Sequence, residues 1–95
     1  AIHAGGGVAV LQIHHGGRQC PPEKVGGQAV SASAIPAERP NAATPRALEE
    51  SEIVEIIDAF AAAAVRAKAA GFDGVEIHGA NTYLLQQFVS PHSNR

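Results

Sequence analysis

Two short apolar runs bracket one long striped segment, and that order constrains the fold more than any other feature. Val8-Ala9-Val10-Leu11-Gln12-Ile13 is nearly continuous in apolar character and is preceded by Gly5-Gly6-Gly7. A run of this length bounded by glycine predicts a strand buried on both faces, as in a parallel sheet. From about Glu50 to Ala70, residues Ile53, Ile56, Ile57, Phe60, Ala64 and Ala67 recur at helical spacing and predict one apolar stripe. Glu49, Glu50 and Glu52 stand at its positive end, and Arg66 and Lys68 near its negative end. Gly71 is placed to end the helix, with Phe72 folding back on its last turn. Asp73-Gly74 then turns the chain into a second strand, Val75–His78. Strands joined through a helix run parallel, and the crossover is right-handed almost without exception. The prediction is one right-handed βαβ unit. Two strands under one helix leave edges unpaired and a face open, so the unit belongs to a larger α/β sheet or barrel.

Between the first strand and the helix, His14 to Arg46 holds five of the six prolines and sustains neither period. It reads as a long loop, of the kind that is functional or disordered, with Val30–Ile35 as a short extended piece. Past the second strand, Gly79–Thr82 leads into a helical turn, Tyr83–Val89, stopped by Ser90-Pro91.

Apolar residues make up 45% and charged residues 17% of the chain, with a net charge of −2. That is globular composition without the basic face that nucleic acid requires. Nineteen residues are alanine and none is Trp or Met, so the core such a chain builds alone is small. No run approaches the roughly 20 residues of a membrane span. The chain does not begin with Met, which suggests a piece of a longer polypeptide, and Ala1–Leu11 lacks the basic segment of a signal peptide. The single Cys20 excludes an internal disulfide and fits a reducing, cytoplasmic compartment.

In α/β folds, sites form at the carboxyl ends of strands. Here those ends carry Gln12, His14 and His15, and then His78, Asn81 and Tyr83. His78 and Asn81 are two donors three residues apart, able to grip one carbonyl, phenol or nitro oxygen and to stabilise charge developing there. Tyr83 is a weak acid suited to donate a proton to a carbon made basic by hydride addition. Gln12 offers an amide with one donor and one acceptor to the edge of a flat heterocycle. His and Asn are equally at home in turns, so spacing alone leaves strand-capping and turn-closing roles open. His14 and His15 point to opposite faces of a regular strand, and with Cys20 they match no zinc spacing, so packing or loop hydrogen bonding is expected and no metal.

The strings Leu11-Gln12-Ile13-His14-His15-Gly16-Gly17-Arg18, Thr44-Pro45-Arg46-Ala47-Leu48 and Ala70-Gly71-Phe72-Asp73-Gly74-Val75-Glu76-Ile77-His78-Gly79-Ala80-Asn81 resemble the old yellow enzyme family of flavin-dependent ene-reductases. Tyr83–Phe88 and Ser90–Arg95 continue the likeness, which spans the chain in order. The resemblance implies a fragment of a (β/α)8 TIM barrel: third strand, long loop, third helix, fourth strand and a short helical C-terminal segment. Residues 1–95 would then form one partial FMN-binding domain with no separate second domain. It further implies that Gln12 contacts the flavin, that His78 and Asn81 bind the substrate's electron-withdrawing group, and that Tyr83 is the proton donor. NADH or NADPH would supply hydride through FMN to the C=C bond of an α,β-unsaturated carbonyl compound. The family places Gly between the Asn and the Tyr, where this chain has Thr82; a positive φ at that position suits Gly and not a β-branched residue. The competing expectation is a noncatalytic fragment that associates with copies of itself, or with the rest of a barrel, through open strand edges.

Overall fold

A computed structural model describes residues 1–95. Along the chain run β1 (Val10–Ile13), α1 (Pro22–Val25), β2 (Val30–Ser31), β3 (Arg46–Ala47), α2 (Glu50–Ala69), β4 (Gly74–Ile77) and α3 (Leu84–Val89), with 3-10 turns at His3–Gly5 and Gly17–Gln19. These elements fall into two compact units, Ala1–Ile13 with Glu50–Ile77, and His14–Glu49 with His78–Arg95.

The first unit is the expected strand–helix–strand element. β1 and β4 pair in parallel, with Val10 opposite Gly74 and Ile13 opposite Ile77. The ladder starts at Val10 rather than Val8 because Asp73 ties off the residue before it. The Asp73 N–H donates to the Ala9 carbonyl at 2.8 Å, and its carboxylate accepts from the Ala9 N–H at 2.8 Å. His3 Nε2 meets the same carboxylate oxygen at 2.7 Å. β4 accordingly spans Gly74–Ile77, and His78 lies just past its end. α2 stops as expected. Gly71 takes φ +95°, its N–H donates to the Lys68 carbonyl at 3.0 Å, and the Phe72 N–H reaches the Ala67 carbonyl at 3.1 Å. That pair of bonds is the Schellman closure, in which glycine supplies the left-handed residue.

On α2, Ile53, Ile56, Phe60 and Ala64 are half-buried and Ala67 is buried. Ile57 departs from the expected stripe: it is 61% exposed. At about 100° per residue it falls in line with Val54, Ala61 and Val65, a second apolar stripe turned away from the two strands. Val10 and Ile77 on the strands are likewise more than half exposed.

The second unit corrects the expectation of an irregular loop. β2 and β3 form a two-residue parallel ladder flanked by bonds from the Arg46 N–H to the Ala29 carbonyl and from the Leu48 N–H to the Ser31 carbonyl, both 2.9 Å. The extended piece expected over Val30–Ile35 stops at Ser31, too short a strand for any period to show. Pro45, Leu84, Ser31, Gln87 and Ser93 are the largest fully buried side chains, and all lie in this unit. Three of the five are polar, and burial of that kind is tolerated only when each group is hydrogen-bonded.

Candidate active site at the end of the second long strand

The turn His78–Tyr83 sits in the second unit and leads into α3. His78 is half-buried, and its Nδ1 accepts the Ala80 N–H at 3.2 Å. A neutral imidazole bonded in this way carries its proton on Nε2, so the outer nitrogen becomes a donor. The Tyr83 N–H closes the turn on the Ala80 carbonyl at 3.2 Å, and the Leu84 N–H anchors the start of α3 to the His15 carbonyl at 3.0 Å. Tyr83 precedes α3 in an extended conformation, φ −81° and ψ −178°, so the helix begins one residue later than the sequence suggests.

The Tyr83 and His78 rings meet edge to face, centroids 5.1 Å apart at 85°. His14 joins them, 5.0 Å from the Tyr83 ring and 5.8 Å from the His78 ring. Packing or loop hydrogen bonding was expected of His14, and ring packing is what it does. The register that pairs Ile13 with Ile77 makes His14 and His78 the next residues along the two strands. His15 turns the other way, half-buried, with Nδ1 accepting the Gly17 N–H at 3.0 Å. Burial, and then the neighbouring His14, hold its pKa below the ordinary 6.5.

Asn81 and Thr82 both occupy the left-handed region, at φ +54° and +64°. Asn adopts it readily, whereas a β-branched residue there costs on the order of 1–3 kcal/mol. The surrounding bonds offset that cost. The Thr82 N–H donates to Gln86 Oε1. Its carbonyl accepts from Gln87 Nε2 at 2.7 Å, and its hydroxyl donates to the Asn81 carbonyl at 2.6 Å while accepting from Gln19 Nε2 at 2.8 Å. The position therefore keeps the backbone that a glycine would adopt, and Tyr83 stays against His78. Asn81 is exposed at the crest of this turn.

Gln12 lies in the first unit, exposed on β1, and its Nε2 donates to the carboxylate of Glu76, its register partner on β4. The bond fixes one side of the amide and leaves a second N–H and the carbonyl, the donor and acceptor that a flavin pyrimidine edge requires. That donor and acceptor are compatible with the pyrimidine edge of a flavin. No group of three or more His, Cys, Asp or Glu is arranged to hold a metal ion. No helix is long and apolar enough to cross a membrane.

The turn that follows β4 thus holds an imidazole against a phenol. The comparisons give a family: the chain belongs to the NADH:flavin oxidoreductase / NADH oxidase family, whose model matches residues 1–95. It is 58% identical over 96 residues to the NADH:acrylate oxidoreductase of Vibrio harveyi, covering all of this chain and 10% of that protein. It is 52% identical over 95 residues to a probable NADH-dependent flavin oxidoreductase of Bacillus subtilis, covering all of this chain and 25% of that protein. The crystal structure of the old yellow enzyme homologue from Zymomonas mobilis superposes with a TM-score of 0.90 at 37% identity, covering 97% of this chain and 28% of the other. The chain thus spans a quarter or less of the curated relatives just named. Its fold is that of a segment of a (β/α)8 barrel, as the resemblance implied.

Proposed function

We propose that these residues work within an FMN-dependent oxidoreductase that passes reducing equivalents from NAD(P)H to an activated C=C bond. Bound FMN supplies the two-electron chemistry between nicotinamide and acceptor. This chain's own residues do the rest. Gln12, braced by Glu76, meets the pyrimidine edge of the flavin. His78 Nε2–H and the Asn81 amide bind the carbonyl oxygen of the acceptor and stabilise the charge that grows there. Tyr83 donates a proton to the carbon alpha to that carbonyl. The observation that carries the reading is the His78–Tyr83 pair, held edge to face with His78 Nδ1 occupied by the Ala80 N–H. The names of relatives that act on acrylate and fumarate, both alkenes conjugated to a carboxyl group, support an electron-poor C=C acceptor. The single thiol supports a cytoplasmic setting.

The exposed Val10, Ile77, Val54 and Val65 favour a companion role for the first unit, which is to dock against the remainder of a barrel. An isolated 95-residue chain would turn the same faces to copies of itself and would be inactive.

The test uses the full-length flavoprotein. His78→Ala should raise the dissociation constant of a phenol about a hundredfold, as loss of one oxyanion-type donor does. A titration followed by flavin absorbance measures it, and unchanged affinity would sink the reading.

A further inference from the structure

We infer that Gln86 is a positioning residue for the site, acting through the main chain of Thr82; this rests on the functional reading of His78, Asn81 and Tyr83. Gln86 is half-buried on the first turn of α3, and its Oε1 accepts the Thr82 N–H. On the other side of the same residue, the Thr82 carbonyl is taken by Gln87 Nε2 at 2.7 Å. Gln87 is 1% exposed and immobilised by further bonds, its Oε1 accepting from Ser31 Oγ at 3.0 Å and from the Arg18 N–H at 3.2 Å. It is a fixed anchor. Gln86 makes no such set of bonds to the loops; its side chain acts on the turn alone. Two adjacent glutamines therefore grip both polar groups of one peptide residue, and that residue is a threonine in the left-handed region at φ +64°.

The consequence lies on either side of Thr82. Asn81 precedes it at φ +54°, and Tyr83 follows it with its ring against His78. A threonine freed from the clamp relaxes toward negative φ, because the left-handed region is disfavoured for β-branched residues. That rotation redirects the Asn81 amide and swings the Tyr83 phenol away from the imidazole. Glycine at the same place would hold the conformation without help. The sequence change to threonine and the dependence on Gln86 are thus one device.

The experiment measures Gln86→Leu and Gln86→Glu in the full-length enzyme, each with and without T82G. Readouts are steady-state reduction of cyclohexenone, phenol affinity, and flavin reduction by NADH or NADPH. Gln86→Leu should lower kcat for the enone about tenfold and weaken phenol binding by a similar factor, with flavin reduction unchanged. Gln86→Glu, which keeps an acceptor for the Thr82 N–H, should stay within about twofold of the parent. In the T82G background Gln86→Leu should cost less than about threefold, a non-additivity expected only if both act on one turn. Should Gln86→Leu fold poorly, Gln86→Ala tests the same lost acceptor without added bulk. Full activity in Gln86→Leu or Gln86→Ala, equal damage from Gln86→Glu, or an undiminished loss with T82G would overturn the inference. If His78→Ala weakens phenol binding while the Gln86 variants do not, only the clamp fails; if His78→Ala also has no effect, the functional reading fails with it.

Discussion

The first unit is regular and open, and the second is irregular and closed. In the first, backbone ladders and a helix of 20 residues do the work. Its buried apolar side chains are only Ala9 and Ala67, and large aliphatics face outward. In the second, the helices are of four and six residues and the strands of two, yet it contains every fully buried large side chain. The difference teaches where each part takes its definition. A parallel ladder carries its own hydrogen bonds but relies on further layers to cover its faces. The loops bond most of their buried polar groups among themselves, Arg18 Nε being left without a partner, and so the geometry of the site is set locally, by side-chain bonds around Gln87 and Thr82.

Gly17→Ala should show the largest effect on stability. Gly17 holds φ +56°, and an added Cβ would land on the Gln87 amide. Strain and collision together should cost about 3 kcal/mol in denaturant unfolding of the full-length protein. A comparable Gly74→Ala in the first unit meets nothing within 4 Å and should cost less than about 1 kcal/mol. Equal losses at the two positions would erase the contrast between the units.

Thr82→Gly should have a smaller effect. It relieves the left-handed strain but gives up two hydroxyl bonds and adds freedom to the unfolded chain. These contributions nearly cancel, to within about 1 kcal/mol. A loss well above that would mean the hydroxyl bonds, and not the two glutamines, hold the turn.

The smallest effect is with pH. His15 in the folded chain has a lowered pKa, chiefly through burial. Its unfolded form therefore binds the proton first, and stability falls as pH drops below the ordinary 6.5 toward the folded value. His15→Gln should flatten that part of the stability profile. Asp73 acts further down. Its carboxylate is held below the ordinary 3.8, first by the Ala9 N–H and then by His3. Its contribution is present above 3.8 and is lost as pH falls through the folded value, so Asp73→Asn should remove a second, more acidic step belonging to the first unit.

The first unit was legible because its signals are periodic. Two apolar runs, a helical stripe and a glycine stop specified β1, α2, β4 and the closure at Gly71. The misplaced Ile57 shows the limit, since a stripe in sequence does not say how wide a face two strands can cover. In the second unit the residues alone marked the helical turn that ends before Ser90-Pro91 and a short extended piece starting at Val30, while the site was legible through the string around His78. Nothing periodic marks a two-residue ladder, and nothing in composition says that Gln87 is buried or that Gln86 reaches back four residues. The burial of Gln87 depends on contacts distant in sequence, such as that with Ser31, and the reach of Gln86 depends on the left-handed backbone of the turn it bonds. Thr82 was the informative exception. The positive φ demanded at its position was foreseeable, and the means of meeting it was not.

In the proposed reaction the His78–Tyr83 pair serves the acceptor half of a flavin cycle. Tyr83→Phe in the full-length enzyme separates the halves when each is followed by rapid mixing. Flavin reduction by NADH or NADPH should stay within about twofold, while reoxidation by cyclohexenone should slow by about a hundredfold or more, the range expected for losing a general acid. Enone reoxidation at the parent rate, or equal slowing of both halves, would contradict that role.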